Sequence, residues 1–166
     1  MNLKELLIDQ MHSCHDQSGW FVSLNNALAG LTAEQAAWKD GSTNNSVWQL
    51  VNHLIFWNEN YLNRFRGKPN QEFKGTNDST FEGEKNGGTE EEWRKTLDKL
   101  NSVLTEWENE IENTSLEKLD RPAKKNETEP WASYIAAVNA HTAYHTGQIV
   151  SLRKLQGSWN PEQGVN

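Results

Sequence analysis

The sequence predicts an all-α fold, a four-helix bundle with long crossover connections. Apolar residues recur at alternating spacings of three and four in four separate segments, as on the inward faces of bundle helices. Helix-start signals precede these segments, and no segment shows the sustained alternation of apolar and polar residues that is typical of a strand. At 166 residues the chain has an ordinary size for one domain, so we treat residues 1–166 as a single bundle domain.

The first predicted helix extends from about Leu3 to Leu28. Gly30 follows it and is suited to a left-handed helix end. Thr32 and Gln35 then form a capping box for a short helical turn. The inward positions of the first helix are Leu3, Leu7, Cys14, Phe21, Leu24 and Leu28.

The second and third predicted helices each begin with a capping box. Ser46 and Gln49 begin a helix that extends to Phe65, and Thr89 and Glu92 begin the third helix. The connection between them, residues 67–88, is rich in glycine, and we assign it no role. A second long connection passes through residues 121–122, and connections of this length favour crossovers over tight turns. The apolar stripes are Val47, Leu50, Leu54, Tyr61 and Phe65 on the second helix, and Trp93, Leu97, Leu100, Leu104, Trp107 and Ile111 on the third.

The last predicted helix begins at Pro130 and carries two histidines on its inward face. Residues four apart lie one turn apart on the same face, so the rings of His141 and His145 can converge on one ion. Uncharged imidazoles in an apolar seam need partners for their ring nitrogens, and a metal ion is an efficient partner. The spacing therefore favours a metal site over two packed core histidines. The inward positions of this helix are Trp131, Ile135, Val138, His141 or Thr142, His145, Ile149 and Leu152.

His53 is the candidate third ligand. It lies beside Leu50, Leu54 and Trp57, on the flank of the buried side of the second helix. A lone histidine in such a position is commonly a hydrogen-bonded core residue. Because the last helix carries a histidine pair, we interpret His53 as a third ligand.

The chain resembles the DinB-like (DinB/YfiT) family of bacterial metal-binding four-helix-bundle proteins. The resemblance covers nearly the whole chain and rests on residues 46–54 (SVWQLVNHL), the pattern H-x3-H-x-G-Q-I-x3-R over residues 141–153, residues 30–36 (GLTAEQA), and Trp20 in the first helix. It implies the bundle fold, and it implies that His53, His141 and His145 are the three protein ligands of a metal ion.

Two residues are candidates for the surroundings of the ion. Gln148 lies one turn beyond His145 and can orient that ring, since metal-bound imidazoles usually need an acceptor on their other nitrogen. Trp57 lies one turn after His53 and can form a wall of the cavity.

The first helix supplies two further pocket candidates. Extending its stripe places Gln10 and Gln17 at inward positions on either side of Cys14, where a glutamine needs something polar to face. The alternative, a slightly rotated helix with Met11 and Ser18 inward, stays open. Cys14 itself is expected to be a small buried hydrophobe rather than a reactive thiol.

A second pair of histidines lies on the first helix. His12 falls on the expected solvent face and His15 at its edge, so we do not favour a metal role for this pair.

Three neutral histidines leave an open coordination position, as in catalytic rather than structural zinc sites. We expect a divalent ion, with zinc first and nickel, iron or manganese as alternatives, because imidazole ligands discriminate poorly among them. Such an ion lowers the pKa of a bound water or thiol. No carboxylate is a clear general base. Glu59 and Glu108 are the nearest ones on their helices, and we interpret both as surface charges, so no catalytic residue is assigned.

Three classes of function remain open. The first is a metal-dependent enzyme, and the family resemblance implies either a thiol S-transferase that uses a low-molecular-weight thiol or a metal hydrolase. The second is a metal-binding stress-response module without turnover. The third is a structural bundle whose histidines are only packed.

Composition limits the partners. With 23 acidic and 16 basic side chains, the net charge of −7 argues against nucleic acid as a partner. No segment resembles a signal peptide or a membrane span, and a lone cysteine permits no internal disulfide, so we expect a cytoplasmic protein without membrane contact that acts on a small molecule. Trp48, Ile55 and Leu62 lie off the main stripe, which suggests a homodimer.

Overall fold

The computed structural model describes residues 1–41, 45–68, 73–82, 88–124 and 127–165. Within these ranges the fold is all-α, as predicted, and contains no strand beyond one isolated bridge between Pro122 and Pro130. The α-helices are α1 (Leu3–His15), α2 (Leu24–Leu28), α3 (Ala33–Ala37), α4 (Val47–Phe65), α5 (Glu90–Asn113), α6 (Leu116–Asp120) and α7 (Trp131–Gln156). Short 3-10 turns cover Asp78–Phe81 and Pro161–Gln163. None of the helices in these ranges is both long and apolar enough to cross a lipid bilayer.

The four long helices α1, α4, α5 and α7 form the bundle. Helix α1 packs against α5 and α7, and α4 packs against the same two helices from the other side. Helices α4 and α5 run parallel, because the ring of Trp48 contacts that of Trp93 near their starts and Phe65 lies near Trp107 further along both helices. A parallel neighbour cannot be reached by a tight turn, so the long crossover between α4 and α5 follows from the packing.

The predicted helix starts are confirmed. The hydroxyls of Thr32, Ser46 and Thr89 each accept a hydrogen bond from the backbone three residues on, and a glutamine or glutamate side chain returns the bond in each case. Each such cap contributes about 1 kcal/mol by satisfying amides that the helix itself leaves unpaired. The cap at Ser46 fixes where α4 begins, and with it the position of His53 two turns later.

Buried tryptophans hold the core of the bundle together. Trp93, Trp107 and Trp131 are all buried, as their stripe positions predict. The indole of Trp93 donates to the Leu31 carbonyl at 3.0 Å, and that of Trp107 donates to the Asn58 carbonyl at 3.2 Å. Trp93 and Trp107 therefore bury a large apolar surface without leaving their indole N–H groups unpaired.

The prediction of one continuous first helix to Leu28 is wrong. Helix α1 ends at His15, and the chain is non-helical until α2 begins at Leu24. The Ser18 hydroxyl accepts from the Ser23 amide at 3.1 Å, and Gly19 follows it, so a side-chain bond and a weak helix former replace a helical turn here. As a result Trp20, expected inside the first helix, is fully exposed, and Phe21 is 40% exposed.

The same break changes the predicted pocket residues of the first helix. Gln10 lies on the exposed face of α1, and Gln17 lies beyond its end and is also exposed. Both are therefore wrong as inward pocket residues. Met11 is buried instead, as in the rotated alternative, although Ser18 is exposed.

The three residues on which a homodimer was predicted do not lie on the surface, and the homodimer itself stays a prediction. Trp48, Ile55 and Leu62 are all buried within the single chain. Trp48 packs against Trp93 of α5. The apolar face of α4 is wider than the predicted stripe, because this helix packs against both α5 and α7. These residues leave no apolar patch for a second copy.

Arg153 joins α7 to the short helices before α4. It is buried, and its guanidinium donates to the carbonyls of Ala27 at 2.7 Å, Ala29 at 3.0 Å and Ser158 at 2.9 Å. Carbonyls at a helix C-terminus carry partial negative charge, so they partly compensate the buried cation. We interpret the final arginine of the 141–153 pattern as a structural residue.

Candidate metal centre

Three histidines from two antiparallel helices meet inside the bundle. The Nε2 atom of His141 lies 3.0 Å from the Nε2 atom of His53 on α4 and 3.0 Å from that of His145 on α7. His53 and His145 are 2% and 5% exposed, whereas His141 is partly exposed. The i, i+4 spacing on α7 and the capped start of α4 thus bring together the three residues that the sequence singled out.

A hydrogen-bond relay fixes the ring of His53. Its Nδ1 lies 2.5 Å from the Thr80 hydroxyl oxygen, and that hydroxyl itself donates to the Asn77 carbonyl at 2.6 Å. Because the hydroxyl proton is already used, Nδ1 of His53 must be the donor. Its Nε2 therefore carries a lone pair that points toward the other histidines.

His145 is oriented in the same way from its own helix. Its Nδ1 lies 2.6 Å from the amide oxygen of Gln148, so Nδ1 is the donor and Nε2 again carries the lone pair. Gln148 therefore lies where the sequence predicted an orienting acceptor. Its side chain is exposed, so this support comes from the solvent side of α7.

These tautomers fit a divalent ion. Two of the three Nε2 atoms present lone pairs to His141, which can offer at most one N–H to them. Hydrogen bonding among the rings alone therefore leaves one close contact unsatisfied. Two nitrogens bound to one ion at about 2.0–2.1 Å lie about 2.9 Å apart at a right angle and about 3.4 Å apart at the tetrahedral angle, and both 3.0 Å separations lie within this range. The residues present can hold a metal ion.

The electrostatics also favour metal ligation. Burial, reinforced by the neighbouring imidazoles, lowers the pKa of His53 to about 3. Burial and the nearby His145 lower the pKa of His141 to about 4, and burial lowers the pKa of His145 against the opposing effect of Gln148. All three rings are therefore neutral at pH 7, the form that binds metal.

A described part of the connection after α4 covers one side of the site. Its 3-10 turn Asp78–Phe81 supplies Thr80 to His53, and the Phe81 ring stacks on the His53 ring with 3.9 Å between centroids and 5° between planes. No sequence pattern predicted a role for this connection or for Thr80, Phe81 and Asn77. The only signal was an isolated Thr-Phe pair within a polar, glycine-rich stretch.

A cavity of about 380 Å³ opens beside His141. It is lined mainly by aromatic and apolar side chains, and Trp57 is one of its walls. Glu129 is the one carboxylate among its lining residues, and no sequence pattern predicted it because it lies outside any helical stripe. The full lining is Trp57, Asn58, Tyr61, Asn77, Glu129, Tyr134, Ala137, Val138 and His141.

The other chemical candidates lie elsewhere. Glu59 forms an ion pair with Lys99 at 3.2 Å, and Glu108 contacts His15 of α1 at 2.7 Å. Cys14 is buried, its thiol lies 3.3 Å from the Asn139 carbonyl, and burial raises its pKa to about 11. It is therefore a packed thiol at neutral pH, as expected.

An all-α bundle that gathers three histidines in its interior is compatible with a helical metal-binding protein. The sequence profile of the DinB superfamily matches residues 22–149, which include all three histidines. The chain belongs to the DinB superfamily. Comparisons with curated proteins and with solved structures found no match.

Proposed function

We propose that this protein is a metal-dependent enzyme whose ion is held by His53, His141 and His145, and that it transfers a small thiol to an electrophilic substrate. Zinc is the first expectation for the ion, with nickel, iron and manganese as alternatives. The observation that carries the proposal is the convergence of three Nε2 atoms, two of them held as lone-pair donors by Thr80 and Gln148.

Some residues of the site orient the histidine rings, and others control access to the ion. A divalent ion held by the three imidazoles would supply Lewis acidity, which would lower the pKa of a thiol or of water at the site. Thr80 and Gln148 hold two of the rings in the binding tautomer, while the stacked Phe81 excludes water from one side of His53. His141 is the most exposed of the three histidines and the one that borders the cavity.

The cavity is suited to a small molecule. Its volume of about 380 Å³ and its aromatic walls, including Trp57 and Tyr134, are typical of small-ligand sites. In the proposed reaction the thiol sulfur bonds to the electrophilic carbon, the leaving group departs with the bonding electron pair, and the thiol proton passes to solvent. The thiol as nucleophile is an analogy with other members of this superfamily.

Hydrolysis is the second candidate, and Glu129 is the observation that favours it. This carboxylate lines the same cavity as His141 and can accept a proton from an attacking water. Glu129 is exposed, however, which makes it less suited to a committed general base than a partly buried carboxylate.

The experiment is to offer metal-loaded protein a generic electrophile with cysteine, coenzyme A or bacillithiol, and in parallel a panel of esters, amides and phosphates. Thiol-dependent, metal-dependent consumption of the electrophile supports the transferase, and His145→Ala removes it. Hydrolysis without thiol dependence, lost in Glu129→Gln, would replace the transferase by the hydrolase. A metal-loaded protein inactive in both panels would favour a non-catalytic, stress-response metal-binding module.

A further inference from the structure

A second group of metal-ligating side chains lies on the side of the bundle formed by α1 and α5. His12 and Asp16 occupy the last turn and the end of α1, and Glu108 lies on α5. The Nδ1 atom of His12 is 3.7 Å from the Asp16 carboxylate and 3.7 Å from the Glu108 carboxylate. The three ligand atoms all lie within 4.8 Å of one another.

The Nδ1 atom of His12 makes no hydrogen bond in this arrangement. The ring is 29% exposed, but its Nδ1 is buried and makes no hydrogen bond to any residue that the structure describes. A separation of 3.7 Å is too long for a hydrogen bond to either carboxylate. Buried polar atoms without partners are rare and need an explanation, such as a bound ion.

The spacing fits a small cation between the three groups. Ligand atoms at about 2.1 Å from one ion lie about 3.7 Å apart when they subtend an angle of about 120°. The Asp16 and Glu108 carboxylates lie close together and carry like charge, and a divalent ion between them removes their repulsion. We propose that His12, Asp16 and Glu108 form a second metal site, separate from the three-histidine centre.

Neighbouring residues hold Glu108 in place for this role. The Nδ1 atom of His15 contacts the same Glu108 oxygen at 2.7 Å, and the Nε2 atom of His15 lies 3.1 Å from the Asn101 side chain. This is the way in which a ligating carboxylate is commonly oriented by a partner behind it. His15 is therefore a positioning residue and not a ligand.

The ligand set selects the class of ion. One imidazole nitrogen and two carboxylate oxygens suit divalent transition ions such as Zn²⁺ or Mn²⁺, whereas Ca²⁺ prefers a shell made of oxygen alone. The ion ties the end of α1 to α5 immediately before the non-helical residues 16–23. Its effect is therefore on the stability of this end of the bundle.

The test uses Zn²⁺ alone and a chain that lacks the first site. In the triple variant His53→Ala, His141→Ala, His145→Ala we expect about one Zn²⁺ per chain, and none when His12→Ala is added. Zn²⁺ at about 100 times its Kd should raise the Tm of the triple variant by about 5 to 10 °C. Asp9→Asn is the matched control, since Asp9 is an exposed acid on α1 outside the cluster, and it should leave both results unchanged.

Two outcomes would overturn the proposal. One is a triple variant that binds no Zn²⁺, or that binds it equally well with His12→Ala. The other is a Ca²⁺-induced rise in Tm equal to that with Zn²⁺, which would indicate acidic charge without a histidine ligand. If the triple variant does not fold, the same comparison is made in the otherwise unchanged chain, where His12→Ala should lower saturating Zn²⁺ binding by one ion per chain. No change there would equally contradict the second site.

Discussion

The Nδ1–H of His53 on α4 donates to the hydroxyl of Thr80, a residue 27 positions later in the crossover, at 2.5 Å. The Thr80 hydroxyl in turn donates a hydrogen bond to the Asn77 carbonyl, so the orientation of the buried ring depends on the local fold of a short 3-10 turn. The crossover therefore has a chemical role as well as a topological one, because it selects the tautomer that leaves Nε2 free to bind metal.

Removing the Thr80 hydroxyl should weaken metal binding. In Thr80→Val the His53 Nδ1–H loses its acceptor, so the binding tautomer is no longer favoured and a buried donor is left unpaired. We expect the affinity for Zn²⁺ to fall about 10- to 100-fold, measured by competition with a chromophoric chelator. Thr80→Ser keeps the hydroxyl and should bind nearly as tightly as the wild type. Equal affinities for the valine and serine variants would contradict this role.

Gln148 should act on His145 through its acceptor oxygen. Gln148→Leu removes the acceptor at 2.6 Å and should weaken Zn²⁺ binding by about 10-fold, the low end of the range for such partners because the side chain is exposed. Gln148→Glu keeps an acceptor and should retain the affinity. A loss in the glutamate variant as large as that in the leucine variant would show that the amide only packs against the helix.

The lowered histidine pKa values predict a pH-dependent loss of stability in the metal-free protein. The folded-state pKa values of His53 and His141, about 3 and about 4, lie below the ordinary value of 6.5, so the unfolded chain binds more protons between pH 6.5 and about 4. The stability linked to these rings is therefore fully present above pH 6.5 and is lost as the pH falls through this window.

Urea unfolding of the metal-free protein at pH 7, 6, 5 and 4 measures this effect. His53→Gln keeps a polar side chain that does not titrate, so its free energy of unfolding should fall less steeply with decreasing pH over the same window. The carboxylates are the same in both proteins, so a difference in the pH dependence of the free energy of unfolding is due to the histidine. Identical slopes would contradict the assignment of a lowered pKa to His53.

Cys14 should be chemically inert in the folded protein. Burial raises the pKa of its thiol to about 11, and the reactive thiolate is therefore scarce at pH 8. A thiol-reactive disulfide reagent should modify Cys14 slowly in buffer and rapidly in urea. Cys14→Ser should retain any thiol-dependent activity, whereas His145→Ala should not. Rapid native labelling, or loss of activity in Cys14→Ser alone, would assign the thiol a direct role.

Much of the fold follows from local signals. The capping boxes at Ser46 and Thr89 mark the starts of α4 and α5. The predicted apolar stripe of α5 is also confirmed, since it packs against α4 and α1. The first helix was predicted too long because apolar residues at Phe21 and Leu24 continue the helical period. The helical period of the apolar residues does not show that the Ser18 hydroxyl accepts a hydrogen bond from the Ser23 amide, which replaces a helical turn.

The centre of the candidate site could be predicted, but its cover could not. His141 and His145 share one helix, so their proximity follows from spacing. Thr80 and Phe81 reach His53 only through tertiary packing of the crossover, and a 3-10 turn of four residues has no periodicity to read. Glu129 likewise enters the cavity from the segment before α7, where no sequence pattern predicts its direction.

The most direct test is the metal content of the purified wild type compared with variants of the three histidines, measured by elemental analysis after growth with zinc, nickel, iron or manganese. We predict one divalent ion per chain at this centre, and His53→Ala, His141→Ala or His145→Ala should each lower the total by close to one ion per chain. The second site leaves this difference unchanged, since none of its ligands is altered. Wild-type protein that is metal-free from every supplemented preparation, or metal content that the three substitutions do not change, would contradict the account.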